Sequence, residues 1–148
     1  HRTVTLPSGD AAVLWQSFHD GHSGLYGRLA LSNGSLSNSE FSIFGDSNVD
    51  TKYLEIAAHD DGGLVVVWEG KIADVQSAIQ YAALGPDLQL LKGPIAVSGP
   101  FPSGKARPVV ATFADGSFIV VWQSPTQDGS DLGIFAQRFD KDGNKLHH

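Results

Sequence analysis

Three aspartates recur at a fixed interval and are the first candidates for chemistry. Asp20, Asp74 and Asp128 are each 54 residues apart, and Asp131 follows the last of them closely. Carboxylate oxygens are ligands of calcium, and they also accept hydrogen bonds from ligand hydroxyl groups. These aspartates are therefore candidates for ion-binding or sugar-binding loops, with Asp128 and Asp131 as the best pair for Ca²⁺. The structural alternative, which we favour, is that these carboxylates accept backbone N–H groups and shape turns.

Two histidines flank the first of these aspartates. His19 and His22, together with Asp20, are residue types that bind zinc or nickel. A short polar loop also carries such residues without a metal, so we assign no metal site here. The run Asp140–Asn144 has its glycine at the fourth position, whereas an EF-hand loop needs glycine at the sixth, so this run predicts a hairpin turn.

The three tryptophans occupy one repeated position. Trp15, Trp68 and Trp122 are 53 and 54 residues apart, and each closes an apolar run. An aromatic ring in such a place is a platform for a sugar or a part of the core. A tryptophan at the end of a continuous apolar run is typical of the core, so we predict that all three are equivalent, buried and structural.

These landmarks define an internal repeat of about 54 residues. Gly9, Gly62 and Gly116 lie six residues before the tryptophans and keep the same spacing. We divide the 148-residue chain, as a single domain, into repeats at about 1–50, 51–104 and 105–148, the third being truncated. Because the chain contains no methionine, we expect it to be a processed product or an excerpt of a longer protein.

The pattern of turns and apolar runs in each repeat predicts four antiparallel strands, so we expect an all-β chain. Turn residues such as Asp61-Gly62-Gly63 mark tight hairpins, and no stretch has a helical period. The runs Val65–Trp68 and Ile119–Trp122 do not alternate with polar residues, which indicates strands buried on both faces. We therefore predict β-propeller blades, and the alternative is a closed three-fold β-trefoil or β-prism. The third repeat ends at Leu146, so we expect its blade to lack the outer strand.

The third repeat resembles the tandem repeat of very large secreted bacterial proteins, often of RTX type or described as calcium-binding or haemolysin-like. In that family a repeat reads roughly DGGFVVVWQS, then QDGSG, then GIYAQRFDADGN, and residues 115–124, 127–130 and 133–140 match it closely. The first repeat keeps Trp15-Gln16-Ser17, whereas the second has Glu69-Gly70 in place of Gln-Ser. The resemblance implies a secreted or cell-surface protein with a non-catalytic adhesive or scaffold role, and it names no ligand.

The amino-acid composition excludes several classes of binding partner and of chemistry. Ten basic and 16 acidic residues give a net charge of −6, which makes nucleic acid and anionic membranes poor partners. The apolar runs are too short to span a membrane. The absence of cysteine excludes disulfides, thiolate catalysis and cysteine-ligated metals. No Ser-His-Asp spacing, phosphate loop or paired carboxylates can be singled out, so we predict no enzyme activity and no obligatory cofactor.

The repeat count predicts how the chain acts. Three blades are too few to close a propeller ring, and open blade faces are apolar surfaces that normally mark an interface. We predict an interaction or scaffold module that forms a homodimer or is completed by a second polypeptide. The alternative is a lectin that binds cell-surface glycans through one loop per repeat, around Asp20, Asp74 and Asp128.

Overall fold

The prediction of an all-β chain is confirmed by a computed structural model, which describes residues 2–19, 22–47, 51–73, 76–99, 101–102, 106–125 and 132–146. The strands found there are β1 Arg2–Thr5, β2 Ala11–His19, β3 His22–Ala30, β4 Leu36–Ser47, β5 Thr51–Ala58, β6 Leu64–Ala73, β7 Gln76–Leu84, β8 Leu90–Ala96, β9 Phe101–Pro102, β10 Val109–Thr112, β11 Phe118–Pro125, β12 Leu132–Phe139 and β13 Lys145–Leu146.

The strands form three antiparallel sheets that follow one another along the chain. The first sheet has the order β1-β2-β3-β4, the second β5-β6-β7-β8 and the third β10-β11-β12-β13. The short strand β9 adds a fifth member to the second sheet by pairing with β7. The third sheet therefore has its outer strand, and the prediction that it would lack one is wrong. Lys145 and Leu146 complete it because they pair with Phe139 and Arg138 across the preceding turn.

Among the described residues, six turns of one type close the hairpins at one end of the sheets. In each turn the first residue donates its N–H to the carbonyl of the fifth, as from Leu6 to Asp10 at 2.8 Å. Five of the turns have glycine at the fourth position with positive φ, as at Gly9 with φ 91°. Leu88 occupies that position in the sixth turn with φ 62°. The predicted Asp-Gly hairpins are confirmed, because these turns need the left-handed conformation that glycine adopts freely.

The sheets stack in chain order through two separate cores. One core joins Ala12 and Leu14 of β2 to Leu64, Val66 and Trp68 of β6. The other joins the second sheet to the third, and its buried members are Val65, Val67, Ile79, Tyr81, Val97, Ala106, Phe118, Val120 and Phe139. Because successive side chains of a strand point to opposite faces, the second sheet is packed on both sides. We call the face of a sheet that points toward the next sheet its forward face and the opposite one its rear face.

The central strands differ in burial although their sequences are alike. All four residues of Val65–Trp68 have no exposed surface, as the continuous apolar run predicts. In the third sheet Phe118 and Val120 are buried, whereas Ile119 and Val121 on its forward face are partly exposed. No core of described residues joins the first sheet to the third, so no three-fold closure is seen. Among all the residues that the structure describes, none forms a helix long and apolar enough to cross a membrane.

Candidate functional site

The aspartates that the sequence singled out lie outside the described residues. This applies to Asp20, Asp74, Asp128 and Asp131, and their roles stay predictions. The two histidines end β2 and begin β3, where they pair in register, and the structure does not describe their side chains. Among the described residues, no group of three His, Asp or Glu side chains is arranged to hold a metal ion.

The three tryptophans lie at equivalent places in their sheets but are not equally buried. Trp68 is fully buried, and its indole N–H donates to the Gln80 side chain at 3.1 Å. Trp15 and Trp122 are half-buried, so the prediction of full burial is wrong for these two, although Trp122 packs against the second core. Trp15 lies on the rear face of the first sheet, against which no described residue of another sheet packs. Trp122 stacks on Phe135 at 6.1 Å, and because Phe135 is 44% exposed, this end of the second core is open.

A cleft of about 620 Å³ opens between the second and third sheets at the end that carries the tight turns. The carboxylates Asp60, Asp61, Asp115 and Asp142 line it, together with His59, Lys92, Lys141, Leu91 and Phe113. Asp61 accepts the N–H of Gly63 at 2.8 Å, and Asp115 accepts the N–H of Ser117 at 2.9 Å. These two acids therefore shape turns, whereas the carboxylates of Asp60 and Asp142 accept no hydrogen bond from a described residue.

Two hydrogen bonds close the floor of this cleft. The Tyr81 hydroxyl donates to the carbonyl oxygen of Gly143 at 2.8 Å, and the Lys92 ammonium donates to the same oxygen at 3.1 Å. Burial raises the pKa of Tyr81 to about 12, and the negative charge of Asp140 adds to this shift. The tyrosine is thus a neutral bond across the two sheets and has no role as an acid or base near neutral pH.

The turn aspartates are held in their ionised form. The hydroxyl of Ser117, followed by its backbone N–H, lowers the pKa of Asp115 below its usual 3.8. The backbone N–H of Asn144 does the same for the pKa of Asp140, with smaller help from the Asn144 side chain. Hydrogen bonds to a charged carboxylate favour that form. These acids therefore stabilise the turns and add negative charge to this end of the molecule.

The rear face of the first sheet carries a shallow groove of about 320 Å³. Val13, Trp15, Arg28, Leu36 and Glu40 line it, and Leu36 is 59% exposed. The Nε atom of Arg28 is shielded from solvent and has no hydrogen-bond partner among the described residues. A donor left in this state favours a partner that supplies an acceptor.

The forward face of the third sheet is apolar and open. Val109 is 53% exposed and Ile134 73%, and Ile119 and Val121 lie between them in the register. The guanidinium of Arg138 covers one side of the Phe113 ring at 4.6 Å. The sequence did not single out these exposed positions, because the run Ile119–Trp122 has the pattern of a strand buried on both sides.

No protein-family model matches the sequence, and no curated protein matches it. Several solved structures are similar in fold, and two of them are an endo-arabinase and a polysaccharide lyase. The chain is 14% identical to an endo-arabinase from Bacteroides thetaiotaomicron VPI-5482, with a TM-score of 0.56 over 90% of this chain and 53% of that one. It is 10% identical to the polysaccharide lyase Uly1, with a TM-score of 0.65 over 97% of this chain and 39% of that one.

The chain thus spans about half and about two fifths of these larger proteins. At such low identity the likeness concerns the fold and not the site. The chain shares an antiparallel all-β architecture with proteins whose names place them among the carbohydrate-active ones.

Proposed function

We propose that the chain is a non-catalytic interaction module built of three β-propeller blades, and that it acts by packing its open sheet faces against another blade. The observation that carries this proposal is the forward face of the third sheet. The same face of the second sheet is fully buried at Val65 and Val67, whereas Ile134 and Val109 of the third sheet are 73% and 53% exposed. Exposed apolar area of this kind marks an interaction site.

The arrangement of the first strands supports blades that radiate from a common axis. Arg2 of β1 donates from Nε to the carbonyl of Leu54 in β5 at 2.8 Å and pairs with Glu55 at 2.9 Å. Thr112 of β10 donates its hydroxyl to the carbonyl of Ala58 in β5 at 2.7 Å. The first strands of the three sheets are therefore side by side, as the inner strands of propeller blades are.

The particle mass in solution tests this proposal. At micromolar concentration we expect light scattering to give a mass above the 15.7 kDa of one chain. The variant Ile134→Asp places a charge on the open face and should reduce the mass to that of one chain. Leu91→Asp is the matched control, because Leu91 is 71% exposed but lies at the cleft and not on this face. If the wild-type particle has the mass of one chain, its open face binds no other blade, and this result contradicts the proposal.

Carbohydrate binding in the cleft between the second and third sheets is the second candidate. Sugar sites combine an apolar ring with a few polar groups that fix orientation. Phe113 is 41% exposed at this cleft, and Asp60 and Asp142 offer carboxylates that no described residue engages. Structures of similar fold include an endo-arabinase and a polysaccharide lyase, which adds support for a sugar ligand.

A glycan array that includes arabinan fragments tests the second candidate. Phe113→Ala should abolish binding of any glycan that the wild type retains. Phe135→Ala is the matched control, because Phe135 is similarly exposed at 44% and does not line the cleft. Equal loss in both variants, or no retained glycan, contradicts a site in this cleft.

Calcium binding by Asp128 and Asp131 and secretion to the cell surface also belong to the proposal. Both derive from the sequence and its resemblance to secreted bacterial repeats. A bound ion stabilises the folded state through linkage, so the melting temperature should be higher in millimolar calcium than in chelator. Equal melting temperatures contradict the calcium site.

A further inference from the structure

We infer that the open forward face of the third sheet binds the open rear face of the first sheet of a second copy of this chain, head to tail. This inference rests on the proposed function, because it names the partner of the same open face. It follows from the polarity of the stack, the equivalence of the three sheets and the chemistry of the two free faces.

The strand registers show that the three rear faces are equivalent. Val13 pairs with Arg28 in the first sheet, and Val66 pairs with Ala82 in the second. The corresponding pair in the third sheet is Val120 with Gln137. Each pair lies two residues before the tryptophan of its sheet, so the rear faces present the same positions.

Both internal interfaces join a forward face to a rear face. Leu14 on the forward face of the first sheet packs in one core with Val66 on the rear face of the second. Val67 on the forward face of the second sheet shares the other core with Val120 on the rear face of the third. Neither core pairs two faces of the same kind. A forward face therefore has a known complement in this fold, which is a rear face of the same repeat.

The chain itself has the rear face that its open forward face would need as a partner. In the part of the chain that the structure describes, nothing packs on the forward face of the third sheet or on the rear face of the first. One copy therefore offers both halves of a third interface of the same type. A second copy supplies each half to the first, and a two-fold axis then closes the pair. Pairing two forward faces would create an interface unlike either one in the chain.

The two free faces are chemically suited to each other. Val109 and Ile134 make the third sheet's forward face apolar, and Trp15 and Leu36 line the groove on the first sheet's rear face. Each face carries an arginine whose shielded Nε atom has no hydrogen-bond partner in the described part of the chain, Arg28 on the first sheet and Arg138 on the third. A carboxylate also lies near each arginine: Glu40 lines the groove with Arg28, and Asp115 lies 3.6 Å from the guanidinium of Arg138. Neither face therefore repels the other by its net charge.

Single cysteines distinguish the possible contacts, because the chain has none of its own. We place Val13→Cys on the rear face of the first sheet and Val121→Cys on the forward face of the third. The control is Ser35→Cys, at an exposed turn residue. A short bis-maleimide is added to each variant alone and to an equimolar mixture of the two face variants, and the linked chains are identified by mass spectrometry.

We expect crosslinks between the Val13→Cys and Val121→Cys chains in the mixture, above the level of the control, and no self-linking of either variant. Self-linking of Val121→Cys overturns the head-to-tail inference and leaves the proposed function intact, because the open face then binds its own kind. Crosslinking at the control level with a mass above that of one chain also overturns only the inference. Crosslinking at the control level with the mass of one chain overturns both.

Discussion

Removing the Tyr81 hydroxyl should weaken the contact between the second and third sheets by a defined amount. Tyr81 is fully buried and packs against Phe118 and Phe139, with ring centroids 5.3 and 4.9 Å away. Its hydroxyl donates to the carbonyl of Gly143 across the interface at 2.8 Å. Tyr81→Phe removes this hydrogen bond and keeps the ring, so the substitution isolates one bond between two sheets.

We expect Tyr81→Phe to lower the free energy of unfolding by about 1 kcal/mol, the usual net value of a neutral hydrogen bond. The Gly143 carbonyl keeps the Lys92 ammonium as a second donor at 3.1 Å, so no acceptor is left bare. For a chain of this length the melting temperature should fall by roughly 2–4 °C. Tyr26→Phe should change neither value, because the Tyr26 hydroxyl makes no hydrogen bond to a described residue.

The same residue predicts a dependence on alkaline pH. Its pKa is about 12 in the folded protein and 10.0 in the unfolded chain. The unfolded state therefore loses the proton first, and the stability that Tyr81 contributes is complete below pH 10 and is lost as the pH rises through about 12. Tyr81→Phe has no such proton, so its stability should fall less steeply than that of the wild type across this range.

Urea unfolding of the wild type, Tyr81→Phe and Tyr26→Phe at pH 7, 9 and 11 measures both effects. At pH 7 and 9 the difference between wild type and Tyr81→Phe should be constant, and at pH 11 it should shrink. A difference that is the same at all three pH values, or a Tyr26→Phe variant as unstable as Tyr81→Phe, refutes the reasoning about this bond.

Three further predictions concern stability, each measured by urea unfolding. Trp68→Ala should cost about 3–5 kcal/mol because Trp68 is fully buried within one chain. Trp15→Ala should cost clearly less at a concentration where light scattering gives the mass of one chain, and equal costs there contradict the observed burial. Gly93→Ala should lower the free energy of unfolding more than Gly34→Ala, although both glycines have positive φ. A Cβ added at Gly93 would lie 2.6 Å from a backbone carbonyl oxygen, whereas a Cβ at Gly34 would meet no atom, so the Gly34 variant measures the backbone strain alone. Asp140→Asn should make the protein lose less stability in acid. The lowered pKa of Asp140 contributes stability that is present above pH 3.8 and is lost as the pH falls through the pKa of the folded state. An unchanged decrease of stability with falling pH refutes this.

Local chemistry accounts for the parts of the fold that the sequence predicted well. Gly62 and Gly116 identified tight turns because the fourth position of these turns requires a left-handed residue. Leu88 has the same conformation without being glycine, and the turn pattern alone did not reveal it. Its side chain packs against the core between the first and second sheets, so tertiary contacts hold a conformation that a leucine adopts rarely.

The outer strand of the third sheet was missed for a similar reason. Lys145–Leu146 is too short to show a strand pattern by itself. It forms because the turn Asp140–Asn144 returns the chain beside β12, where Lys145–Leu146 pairs with Arg138 and Phe139. The candidate site was also beyond sequence reasoning, because the cleft beside Phe113 is built from turns of two different sheets.

The sequence by itself determined the repeat, the turns and the apolar central strands, because these depend on residue type and spacing over short distances. It did not determine which strand faces are buried. Val65–Trp68 and Ile119–Trp122 have the same pattern, and yet only the first is closed on both sides. A strand face is buried only when another sheet packs against it, so its burial depends on how whole sheets stack. Only the tertiary structure decided that the rear face with Trp15 and the forward face with Ile134 are the two left open.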